Sequence, residues 1–183
     1  MIAPMEFEDD FIDFLERKAA GEFKLKGFDG ENNKEIYKRP KVVKGFLLPK
    51  MNDNSQVSEL PYICFRIIKL ETIKVSGKNI HCLKTGILFG CYCSGIQSKH
   101  GKQIIADDGS GYRDLWNIME RTRQALFNGT YNPKVRLFED TFSMEVPEEQ
   151  YYPVWEGRIN ADFLIGTPEW GMSDSFYKPP KPL

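Results

Sequence analysis

In GYRDLWNIMERTRQALF, Gly111 to Phe127, apolar residues recur at Tyr112, Leu115, Trp116, Met119 and Leu126, while Asp114, Asn117, Arg121 and Gln124 fall opposite. This 3.6-residue period predicts an amphipathic helix from Tyr112 to Phe127 that lays the first group on a core. Just before it, in ADDGSG, Asp107, Asp108 and Ser110 stand where the helix begins. Asp and Ser at that place cap orphan N–H groups and answer the positive end of the helix dipole. A calcium loop would need further alternating ligands and a distal Glu, and a phosphate loop would end in Gly-Lys-Ser/Thr. Neither pattern is completed, so the run reads as a helix start.

Arg123 is the exception on this helix. It falls within the stripe of Tyr112, Trp116 and Met119, where a cation needs a partner. That partner is either Glu120, three residues back, or a charge across a subunit boundary. Glu120, Arg121 and Arg123 are therefore the candidate subunit-interface residues.

Outward from the helix the chain reads as strands. LPYICFRIIKLETIKV, Leu60 to Val75, opens on proline and is rich in aromatic and β-branched residues, and HCLKTGILFGCYC, His81 to Cys93, reads the same way. KVVKGFLLPK, from Lys41, is a shorter strand, followed by a polar loop, MNDNSQVSE. Downstream, strands are expected at Val135 to Leu137, Thr141 to Val146 and Val154 to Ile165. In the last, Trp155, Ile159, Ala161, Phe163 and Ile165 alternate with Glu156, Arg158, Asn160, Asp162 and Leu164, so one face is buried. At the N-terminus, Phe7, Phe11, Phe14, Leu15 and Ala19 predict a second amphipathic helix over about residues 6 to 20, with Glu8, Asp9, Asp10 and Asp13 toward its start. Gly21, Gly27, Gly30 and the polar DGENNKE then interrupt any pattern.

A chain of 183 residues, 41% hydrophobic and 28% charged, fits one globular domain. The expected fold is α+β: a mixed or mainly antiparallel sheet packed against two main helices over residues 1–166, then a Pro-rich tail, 167–183. A net charge of −1 gives no electrostatic case for nucleic acid. No apolar run reaches membrane-span length, and the acidic start of the chain lacks the positive charge that opens a signal peptide. The expected setting is a cytoplasm, where Cys64, Cys82, Cys91 and Cys93 stay reduced.

Chemistry finds little purchase in this sequence. His81, Cys82, Cys91 and Cys93 are metal-ligand types, but their spacing matches no two-plus-two zinc pattern, and Ile87, Phe89, Cys91 and Cys93 alternate as a core face would. His81 and His100 sit in no nucleophile motif, and the many carboxylates single out no acid and base pair. The reading is of a protein without metal, cofactor or catalytic residues, working by its surfaces.

Five segments in order, GFLLPK, LPYICFRIIK, LKTGILFGCY, GYRDLWNIMERTRQALF and YYPVWEGRINADFLI, resemble the tail terminator proteins of long flexible-tailed bacteriophages and their prophage copies. The likeness spans about Lys44 to Ile165. Its most specific pieces are the Gly-Tyr-Arg-Asp helix and the Tyr-Pro-x-Trp strand at Tyr152 to Trp155. The resemblance implies a structural virion protein, assembled in the host cytoplasm, that closes as a hexameric ring on the last ring of tail tube protein. There it ends polymerisation and offers a surface to a head connector or head completion protein. The acidic N-terminal helix and the Pro-rich tail depart from that pattern. Alternatives are a head completion or connector ring and, from another class, a small cytoplasmic enzyme with an unrecognised carboxylate site.

Overall fold

The computed structural model describes residues 3–29, 34–45, 60–75, 77–93, 96–97, 104–106, 109–129, 131–150 and 153–165. His100, Asp107, Asp108, the 51–59 loop and the 167–183 tail lie outside the described residues. The strand with the strictest alternation, β9 (Val154–Ile165), anchors the fold. Gly157, Ile159, Ala161, Phe163 and Ile165 are buried, and the residues between them are not.

Around β9 stands a five-stranded sheet in the order β3 (Lys41–Lys44), β4 (Tyr62–Val75), β5 (Lys78–Tyr92), β9, β8 (Val135–Glu145). β3 runs parallel to β4, and every other pairing is antiparallel. Register places Phe65, Ile87, Ile159 and Met144 in one row on one face, and Cys64, Leu88, Arg158 and Glu145 in the next row on the other. Two helices cover the first face, which gives the α+β class the pattern predicts. Two small hairpins complete the described fold, β1 (Leu25–Asp29) with β2 (Lys34–Lys38) and β6 (Ile96–Gln97) with β7 (Ile104–Ala106). Neither is signalled by alternation in the sequence.

Helix α1 (Pro4–Leu15) starts on proline, whose missing N–H costs nothing there, and runs on into a π-helical turn, Glu16–Ala20. Phe7, Phe11, Phe14, Leu15 and Ala19 are all buried, as their spacing predicts. Phe11 is the hub of an aromatic cluster, with ring centroids 4.5 Å from Phe65, 5.1 Å from Phe163 and 5.5 Å from Tyr131. Of the acids of α1, Glu8 is buried beside the aromatic stripe, whereas Asp9 pairs with Lys44 of β3 at 2.6 Å and Asp10 accepts from Asn132 at 2.7 Å.

Helix α2 (Ser110–Asn128) forms where expected but is rotated from the predicted wheel. Its buried residues are Gly111, Leu115, Ile118, Met119, Thr122 and Leu126, whereas Tyr112 is exposed and Trp116 only half-buried. The cause is visible at two points. Thr122 buries as an apolar residue because its hydroxyl donates to the Ile118 carbonyl at 2.8 Å. Gly157 of β9 opens the space under the helix, since a Cβ there would lie 2.6 Å from Met119 Sδ. At the start of the helix the N-cap is Gly109 at φ 71°, a left-handed conformation that favours glycine, and Ser110 is the first helical residue, while Asp107 and Asp108 lie outside the described residues.

Two downstream strands, expected at 135–137 and 141–146, are one. β8 runs through from Val135 to Glu145 with a register shift between Phe138 and Ser143. Thr141 closes the bulge by donating to the Phe138 carbonyl at 2.8 Å.

Candidate functional site

On α2, Arg123 resolves toward its own helix. Its Nε and Nη2 donate to the two carboxylate oxygens of Glu120 at 2.7 Å each, and Gln124 Nε2 adds a third bond at 3.0 Å. Arg123 also lies over the Phe127 ring, 5.7 Å from its centroid. The hydrogen bonds from Arg123, then that from Gln124, hold the Glu120 carboxyl down to about 2, and Glu120 raises the Arg123 guanidinium in turn. Both side chains remain partly exposed, so this is a surface pair with a bidentate geometry.

Arg121, one residue on, turns the other way. Its Nε donates to the Ala19 carbonyl at 2.7 Å, and its guanidinium covers the Phe23 ring at 5.6 Å. The last turn after α1 is thereby tied to α2. Of the three candidate interface residues, the structure brings Glu120 and Arg123 together and sends Arg121 to a separate intramolecular contact.

The metal-ligand types are dispersed. Cys64, Cys82, Cys91 and Cys93 are all buried free thiols, and no group of three His, Cys, Asp or Glu converges among the described residues. Adjacent His81 and Cys82 point to opposite faces of β5, and His81 Nδ1 meets the Thr72 hydroxyl at 3.1 Å. Burial pushes the Cys91 thiol far up and the Cys82 thiol up to about 11, so neither offers a thiolate near neutral pH. Cys93 Sγ lies 3.2 Å from Ser110 Oγ, which instead of capping α2 also accepts from Lys26 at 3.5 Å.

What the sequence did not disclose is the polar lattice on the open face of the sheet. Tyr62 donates to Glu156 at 2.8 Å, Arg158 pairs with Glu145 at 2.7 Å, and Asn160 donates to Ser143 at 3.2 Å. Glu71 holds Lys69 at 2.7 Å and Lys84 at 2.9 Å, which lowers the Glu71 carboxyl and raises the Lys84 ammonium. Burial, with the Glu156 charge behind it, drives the Tyr62 phenol strongly up. Asp162 is raised by burial against the pull of Lys84 and the Thr141 hydroxyl. The polar residues beside these strands are thus occupied with one another. The signal in sequence was the alternation of Glu156, Arg158, Asn160 and Asp162, which marks a wet face and says nothing of partners.

Two surface features remain. A cleft of about 410 Å³ lies between the end of α2 and β8, lined by Leu126, Phe127, Tyr131, Val135, Leu137 and Glu139 among others. Phe127, 40% exposed, leans edge-on against Phe142 at 5.1 Å at its rim. At the other side of the sheet β4 runs on from Arg66 to Val75 past the end of β3, carrying Ile68 at 57% and Leu70 at 49% exposure.

The chain matches no protein-family model and no curated protein. No helix among the described residues is long and apolar enough to cross a membrane.

Proposed function

We propose that this protein is a phage or prophage tail terminator, a structural virion protein that closes as a ring on the end of the tail tube and prepares it for joining to the head. The observation that carries this reading is where the resembling segments fall. LPYICFRIIK, LKTGILFGCY and YYPVWEGRINADFLI supply the adjacent central strands β4, β5 and β9, and GYRDLWNIMERTRQALF is the helix packed across them. An ordered likeness that maps onto one contiguous structural unit has a physical basis that scattered matches would lack. The polar groups described above serve pairing within the chain, which suits a protein that acts through shape and surface.

A ring of identical subunits needs two different patches on each, so that each contact is head to tail and the rotation closes. Deleting the gene in a phage or prophage background and imaging the particles tests the reading. The expected result is tails of uncontrolled length without heads, restored to normal by the wild-type gene in trans. Normal infectious particles from the deletion would contradict it. Arg123→Glu extends the same experiment: since Arg123 is paired within its helix, the variant is expected to rescue, and failure to rescue by a folded variant would return Arg123 to a subunit boundary.

A further inference from the structure

The two edges of the sheet are unlike, and their differences complement one another. At one edge the β4–β5 hairpin forms an arm. Among the described residues, β3 pairs with β4 only through Phe65, so ten residues of β4, Arg66 to Val75, run past it, and β9 pairs with β5 only as far as His81. At about 3.3 Å per residue those ten residues run roughly 33 Å. The arm is cationic: from Arg66 to Lys84, Arg66, Lys69, Lys74, Lys78 and Lys84 stand against Glu71, a formal charge of +4. Exposed Ile68 forms its bulge, between Ile67 and Lys69, and exposed Leu70 follows just past it.

At the opposite edge β8 carries a bulge of its own, which presents exposed Glu139 and Asp140 beside the apolar cleft of Phe127, Tyr131 and Leu137. With Glu145 matched by Arg158, the remaining Glu139, Asp140, Glu148 and Glu149 stand against Lys134 and Arg136, a formal charge of −2. An apolar, cationic projection and an apolar, anionic recess on opposite sides of one subunit are the two halves of a heterologous contact.

We infer that the β4–β5 arm of one copy docks into the α2–β8 cleft of the next, Ile68 and Leu70 against its apolar wall, Lys69 and Lys74 toward Glu139 and Asp140. This rests on the ring reading above and names the surfaces that would make the ring. Opposite charge steers the approach and sets polarity, while the apolar contact holds it.

Charge swapping tests it on the full chain. An arm variant, Lys69→Glu with Lys74→Glu, and an edge variant, Glu139→Lys with Asp140→Lys, alter exposed side chains and leave the core alone; circular dichroism confirms that each folds. Light scattering after size exclusion should show wild type assembling, with dissociation promoted as salt rises from about 50 to about 500 mM. Each variant alone should be monomeric. The two mixed should assemble in alternation, because the edge variant's arm meets the arm variant's cleft and the arm variant's arm meets the edge variant's cleft with the charges exchanged. The quadruple variant should assemble again, with charges exchanged. Assembly by either folded variant alone, or a mixture that stays monomeric, overturns the inference while leaving the ring reading to other surfaces. A wild-type protein monomeric at every concentration also overturns it, and the deletion experiment then decides the ring reading by itself.

Discussion

The two faces of the sheet are built by opposite means. On the helix side, Phe7, Phe11, Phe14, Phe65 and Phe163 meet around Tyr131 in a dry cluster, with burial raising the Tyr131 phenol to about 12. On the other side, a smaller buried cluster of Leu60, Tyr62, Cys64 and Tyr92 covers one part, and the rest of the sheet holds its neighbours with exposed ion pairs and hydroxyl bonds, such as Arg158 with Glu145. Buried area and close packing stabilise the first face, whereas pairs on the second face contribute at most about 1 kcal/mol each. The lesson is that the larger share of the buried core lies under the helices, with a smaller cluster around Tyr62 and Cys64 on the other face, which leaves the Arg158–Glu145 part of that face and the sheet edges to be shaped for contact.

Truncation at the aromatic hub is the hardest strain on that contrast. Phe11→Ala removes a fully buried ring that touches five others, and is expected to cost about 3 to 5 kcal/mol, read as a loss in chemical denaturation. A loss under about 1 kcal/mol would mean the cluster is not where the stability lies.

Gly111→Ala comes next and opposes two principles. Alanine in a helix is worth up to about 1 kcal/mol over glycine. Here a Cβ would collide with the Trp155 ring and come 2.6 Å from Cys93 Cβ. Overpacking of that kind typically costs about 1 to 3 kcal/mol, so the variant is expected to melt lower. A higher melting temperature would show that α2 stands further from β9.

Trp116→Ala sharpens the comparison along the helix itself. The sequence wheel puts Trp116 at the centre of the core stripe, where truncation would cost about 3 to 5 kcal/mol. Half-buried at the flank, with its indole N–H lacking a hydrogen-bond partner among the described residues, it is expected to cost less than about 3 kcal/mol. The same denaturation assay ranks it against Phe11→Ala, and an equal loss would restore the original wheel.

The smallest effect belongs to the surface pair. The Glu120 carboxyl is depressed from 4.5 to about 2 by its bonds from Arg123 and Gln124, so its contribution is present above about pH 4.5 and is lost as pH falls toward 2. The melting temperature of wild type should exceed that of Glu120→Gln slightly at pH 7, and the gap should close by pH 2. A gap that widens in acid would show that the carboxylate is not held by Arg123.

How much of this was readable beforehand depends on the element. The apolar residues of α1 and β9 follow their sequence periods, because each element has one face enclosed, although Glu8 in α1 is buried where the pattern does not call for it. α2 was legible in extent but not in rotation. Thr122 looks polar and buries, Trp116 looks like core and does not, and the glycine that decides the matter, Gly157, lies 38 residues past Met119 on another strand. The β1–β2 hairpin was hidden because β2 buries none of its residues and so carries no period. Of the candidate site, the Glu120–Arg123 spacing disclosed a local pair, one of the two partners it allowed. The arm and the cleft could not be read at all, since an overhanging strand or a bulge is a relation between two segments and leaves no pattern in either.

The most direct measurement is cryo-electron microscopy of the head-to-tail junction in particles from a phage or induced prophage that carries this gene. The account predicts six copies of the chain in a closed ring on the last tube ring, each with its β4–β5 arm against the α2–β8 edge of its neighbour. A junction with wild-type particles and no density for this chain, or the chain found elsewhere in the particle, would contradict it.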